Sequence, residues 1–109
     1  MAMVRLTLLF VALAYVPAIA DQKTVGDITF KCEVSGGAKD GFDISVTNRG
    51  KARTCTVYCE FTDKDGHTTK SDKYTNLVRA NDSYPGFDSS QKAMPGAPLS
   101  NPKVNATCE

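Results

Sequence analysis

The chain has 109 residues, with thirteen basic and twelve acidic side chains, one histidine and no tryptophan. That length is enough for one small domain, and the near-neutral, interspersed charge argues against nucleic acid or an anionic membrane as main partner, since both are bound through a net basic face. No block of like charge and no internal repeat interrupts it.

The first element in chain order is a targeting segment. Arg5 precedes an apolar run from Leu6 to Val16, and Ala18-Ile19-Ala20 places small residues before the polar Asp21. A positive start, an apolar stretch and a small-residue cleavage site are the parts of a signal peptide, predicted here as residues 1–20, with a single domain over residues 21–109. The apolar run falls short of the roughly twenty residues of a membrane-spanning helix, and no second such run follows, so no transmembrane segment is expected in the mature chain.

The remainder reads as strands. Apolar side chains alternate with polar ones in Ile28–Val34, again at Phe42, Ile44 and Val46, and again at Cys55, Val57, Cys59 and Phe61. A period of two puts each set on one face of a strand, and the β-branched and aromatic content suits that setting. Gly36-Gly37, Asn48-Arg49-Gly50 and Asp63-Lys64-Asp65-Gly66 punctuate the pattern as turns. Residues 67–74 read as a polar edge strand and residues 76–80 as another short one. Tyr84-Pro85-Gly86-Phe87 reads as a turn opening a proline-rich loop that runs to Pro102, either a cover over the end of the sandwich or a binding loop. Val104, Ala106 and Cys108 alternate once more and predict a final strand. These features together predict an all-β fold, a small antiparallel β-sandwich.

An exported chain with four cysteines, Cys32, Cys55, Cys59 and Cys108, reads as a disulfide framework. Four cysteines allow three connectivities. On one strand Cys55 and Cys59 stand about 13 Å apart, at roughly 3.3 Å per residue. A disulfide needs Cα atoms within about 7 Å. Each is therefore expected to reach a different partner across the core. Antiparallel succession favours Cys32 with Cys59, which leaves Cys55 for Cys108. A zinc site would need closely spaced pairs, and His67 alone supplements the thiolates, so disulfides are the better account.

The stretches Phe42-Asp43-Ile44-Ser45-Val46-Thr47-Asn48-Arg49-Gly50 and Cys55-Thr56-Val57-Tyr58-Cys59-Glu60-Phe61-Thr62-Asp63-Lys64-Asp65-Gly66 resemble bacterial extracytoplasmic immunoglobulin-like modules of the FxLYD and CARDB kinds. In those, a V-x-N-x-G strand end leads to an alternating strand closed by a D-x-x-G turn. The resemblance implies an immunoglobulin-like fold serving as a binding or spacer domain, without catalytic residues, so the expected architecture is a small immunoglobulin-like antiparallel β-sandwich stapled by two disulfides. The chain departs from the pattern in its extra cysteine pair.

A search for chemistry finds little. His67 follows a turn glycine in a polar segment, where a solvated role is the expectation. Nucleophile-elbow, phosphate-loop and metalloprotease motifs do not occur. Asp63 and Asp65 resemble part of a calcium loop but have no downstream bidentate carboxylate in register, so a hairpin turn is expected. Two glycosylation sequons begin at Asn81 and Asn105. Arg49, Lys51 and Arg53 flank a turn as a basic cluster. Tyr58 alternates out of the core set, and with Tyr84 and Phe87 of the long loop it makes the candidate interface. The expectation is a secreted or periplasmic, non-catalytic module without cofactor, recognising a protein or cell-envelope component. The alternative is a small secreted effector, toxin or inhibitor acting on a foreign protein.

Overall fold

The computed structural model describes residues 19–85, 87 and 93–109, and the apolar part of the predicted signal segment lies outside them. Among the described residues eight strands form: β1 (Ala20–Val25), β2 (Ile28–Ser35), β3 (Gly41–Asn48), β4 (Arg53–Thr62), β5 (Thr68–Lys70), β6 (Tyr74–Val78), β7 (Asp82–Pro85) and β8 (Ser100–Cys108). They make two antiparallel sheets packed as a sandwich. The first has the order β1-β2-β3-β7. In the second, β4 is central, with β8 along one edge and β5 and β6 sharing the other.

The alternation read from the sequence sets the layers. Ile28, Phe30, Cys32 and Val34 of β2 and Phe42, Ile44 and Val46 of β3 face inward, against Cys55, Val57, Cys59 and Phe61 of β4 and Val104 and Ala106 of β8. Phe42 and Phe61 meet across the sheets with ring centroids 5.5 Å apart. Each such fully buried side chain contributes about 1.5–3 kcal/mol relative to exposure.

Both disulfides form with the expected partners. Cys32–Cys59 crosses between the sheets, Cα to Cα 6.0 Å. Cys55–Cys108 does not cross the core as expected. These residues face each other in register on β4 and β8, 4.1 Å apart at Cα, within one sheet. An antiparallel pair without mutual backbone hydrogen bonds brings Cα atoms this close, and a disulfide fits there.

Three other local features depart from the sequence reading. β1 is an additional strand, in ladder with β2 from Ala20↔Glu33 to Val25↔Ile28. Tyr84-Pro85 belongs to β7, paired with β3 through Tyr84↔Val46, instead of opening a turn. β8 begins at Ser100, four residues before the predicted strand. A bulge there sets Asn101 and Pro102 against Phe61, and Asn101 takes a left-handed φ of 49°. Asparagine tolerates that conformation, and Pro102 falls where the ladder needs no donor.

Asn48 is the one buried polar side chain of the described residues, 1% exposed at the end of β3. Its Nδ2 donates to the carbonyls of Lys51 (2.8 Å) and Arg79 (3.1 Å), and its Oδ1 accepts from Gly50 N–H (2.8 Å). One amide thereby joins the β3–β4 turn to the β6–β7 turn, two of the three connections by which the chain changes sheets.

Candidate functional site

β4 presents Thr54, Thr56, Tyr58, Glu60 and Thr62 on the outer face of the second sheet, as the inward positions of Cys55, Val57, Cys59 and Phe61 require. Pairing brings further polar groups beside them. Thr75 of β6 and Thr107 of β8 stand opposite Thr56 on either side, and the Thr56 and Thr75 hydroxyls are 2.8 Å apart. Asn105 stands opposite Tyr58 and donates its Nδ2 to Glu60 Oε1 at 2.9 Å. Lys70 and Lys103 face Glu60 from β5 and β8. Lys73 Nζ lies 5.5 Å from the centroid of the half-buried Tyr58 ring. The result is a mostly polar face with one aromatic near its middle, the exposed Leu77 opposite Thr54 toward one end and three exposed lysines around it. A shallow groove beside it is lined by Glu60, Thr62, Thr68, Asn101 and Lys103. Such a surface can make hydrogen bonds, charge-assisted bonds and a stacking contact, and a stapled sheet holds these groups in fixed positions.

The other two members of the predicted interface lie elsewhere. Tyr84 is on β7, half-buried, with its ring packed against the core under the Arg79 guanidinium, 5.2 Å from the ring centroid. Phe87 is a core residue, 7% exposed, stacked beside Tyr84 and edge-on to Phe30 at 6.3 Å. Its N–H donates to Ile44 O at 2.7 Å, one residue out of the β3–β7 register, which sets the ring beside the inward-facing Ile44. The structure therefore does not bring Tyr58, Tyr84 and Phe87 onto one surface, and Phe87 offers none.

The described part of the long loop acts as a cover. Met94 N–H and Leu99 N–H donate to Asp40 O and Lys39 O, Leu99 is buried, and Gly96 O accepts from Lys64 N–H. Arg53 is likewise engaged, its guanidinium donating to Glu109 O (2.8 Å) and Cys108 O (3.2 Å), while Arg49 and Lys51 are exposed.

His67 is exposed, and its backbone N–H donates to Asp63 Oδ1 at 2.8 Å, with Asp65 N–H on the same oxygen at 2.9 Å. The His67 bond above all, then that from Asp65, holds the Asp63 carboxyl below its ordinary value of 3.8. These bonds close a turn around Asp63. Among the described residues no three His, Cys, Asp or Glu side chains gather as a metal-binding group. Of the sequon asparagines, Asn81 is exposed at the β6–β7 turn, whereas the Asn105 amide is held by Glu60.

The lysines around Tyr58 were not visible as a group in the sequence, because only strand pairing places residues 70, 73 and 103 together. The role of Asn48 had a signal, a polar residue closing an alternating strand before a glycine, which was legible only as a turn. Compared with protein-family models, curated proteins and solved structures, the chain matches none.

Proposed function

We propose that the chain is exported, released from residues 1–20, and serves outside the cytosol as a non-catalytic binding module for a protein or cell-envelope component, in the manner of the immunoglobulin-like modules it resembles over residues 42–66. Two disulfides suit an oxidising compartment. The observation that carries the binding role is the Tyr58 face: an aromatic with Lys70, Lys73 and Lys103 around it on a doubly stapled sheet. Tyrosine gives contact area at low conformational cost, and lysines at the rim steer and orient a partner.

The test places a photo-crosslinking side chain at Thr75, beside Tyr58, and in a second protein at Thr29 on the outer face of the other sheet. Each is produced in the native host. The expected result is a discrete adduct from position 75 that excess wild-type protein competes away and Tyr58→Ala/Lys73→Ala protein does not. No adduct, or equal adducts from both positions, would overturn the assignment. Mass spectrometry of the same material checks export by a mature N-terminus at Asp21.

A further inference from the structure

The two disulfides differ in what they hold and in how open they are. Cys32 and Cys59 are each 0% exposed and join the sheets through the core. Cys55 is 1% exposed, but its partner Cys108, at the end of β8, is only half-buried. Attack on a disulfide requires a thiolate to reach one sulfur along the bond axis, and Cys108 is the one cysteine of the four that is not buried, so it is where such an approach can begin.

Two further features favour reaction there. Cys55–Cys108 joins strands that are already neighbours, and the β4–β8 ladder continues from it to Thr62↔Ser100. Val104 and Ala106, both buried, anchor β8 independently of the sulfur bridge. Opening this bond therefore leaves β8 paired, whereas opening Cys32–Cys59 would put two thiols in the centre of the core. In addition, Arg53 stands two residues before Cys55 on the same strand face, with its guanidinium on the Cys108 and Glu109 carbonyls. These bonds hold the end of β8 in place without help from the sulfur bridge.

We propose that Cys55–Cys108 is a thiol–disulfide exchange site for low-molecular-weight thiols, with Cys108 the sulfur attacked and Cys32–Cys59 the permanent staple. In the step, the thiolate of the small thiol forms a new sulfur–sulfur bond to Cys108 Sγ. The Cys55–Cys108 bond breaks, and its electron pair leaves on Cys55 Sγ as a thiolate. One disulfide is exchanged for another, with no net oxidation and no further reactant. The product carries the small thiol on Cys108 and a free thiol on Cys55, inside an intact sandwich. This would make the end of β8 a site of reversible covalent modification.

The experiment incubates the folded, oxidised protein with reduced glutathione, quenches with acid, blocks free thiols with N-ethylmaleimide and maps both labels by peptide mass spectrometry. A parallel sample in guanidinium chloride reports the reactivity of the unfolded chain. The expected result is glutathione on Cys108 and maleimide on Cys55, accumulating at least about ten-fold faster than any opening of Cys32–Cys59, with the preference lost on unfolding. Adducts on Cys55, Cys32 or Cys59, equal opening of both bonds in the folded protein, or no adduct while the unfolded sample reacts would each overturn it.

Discussion

Asn48 provides the sharpest test of how the two sheets are connected. Replacing it by alanine removes three close hydrogen bonds and leaves Gly50 N–H and the carbonyls of Lys51 and Arg79 without their partner. A neutral hydrogen bond contributes about 1 kcal/mol net, and a buried polar group left unpaired costs about 1–3 kcal/mol. The turns admit water to part of this site, so Asn48→Ala is expected to lose about 2–4 kcal/mol of stability. For a domain of this size that is a fall in Tm of roughly 10–25 °C. Asn48→Asp is nearly the same shape but turns the donor toward Lys51 O and Arg79 O into an acceptor. Burial and the facing carbonyls raise the new carboxyl above its unfolded value of about 3.9. The folded state then binds the extra proton, so the defect is mild at low pH and deepens as pH rises through the unfolded value. Urea unfolding followed by far-ultraviolet circular dichroism, with both disulfides intact, measures both variants at pH 4 and pH 7. A loss below about 0.5 kcal/mol for Asn48→Ala, or an Asn48→Asp defect that ignores pH, would refute the joining role.

Other expectations separate core, turn and surface. Phe87→Ala removes a ring packed between Phe30 and Tyr84 and should cost about 3–5 kcal/mol in denaturant unfolding, whereas Tyr58→Ala should cost far less and act on partner binding. A near-neutral Phe87→Ala would place that ring outside the core. Gly96 has φ +86°, and a Cβ there would stand 3.0 Å from Asp63 Cβ, so Gly96→Ala should lower stability by about 1–3 kcal/mol. Unchanged thermal unfolding of that variant would contradict the close approach. Asp63 has a lowered carboxyl value, so its stabilising contribution is present above 3.8 and is lost as pH falls through the lower folded value. Asp63→Asn should flatten that acid limb of stability. Nuclear magnetic resonance titration showing Asp63 at or above 3.8 would count against it.

What was legible in the sequence follows from burial. β2, β3 and β4 bury one face each, so alternation had to appear at Ile28–Val34, Phe42–Val46 and Cys55–Phe61, and the disulfide partners followed from strand succession. β1 was not legible, because Ala20–Val25 is held by its backbone ladder to β2 and carries mostly solvated side chains without an apolar alternation. β7 was hidden by Tyr84-Pro85-Gly86, whose composition speaks for a turn while pairing with β3 decides for a strand. Past the end of β7, Phe87 N–H bonds to Ile44 O one residue out of the Tyr84↔Val46 register, which sets Phe87 beside an inward-facing residue, so a residue read as part of an interface is buried instead. Tyr58 was legible as outward-facing by alternation, but its lysine neighbours come from β5, β8 and the segment between β5 and β6, and only the register reveals them.

The two sulfur bridges also determine how the molecule would answer a pull along its length. Tension applied at Asp21 and Glu109 runs along β1 and β2 to Cys32, across to Cys59, back along β4 to Cys55, and across again to Cys108. Only residues 21–32, 55–59 and 108–109 lie on that path, so the oxidised chain can lengthen to about 70 Å at most, against roughly 300 Å for the reduced one, at about 3.5 Å per residue. The turn around Asp63, strands β5 to β7 and most of β8 sit in a covalent bypass where force does not reach. A tug on either end would peel β1 and strain β2, while the Lys70, Lys73 and Lys103 side of the molecule stays slack.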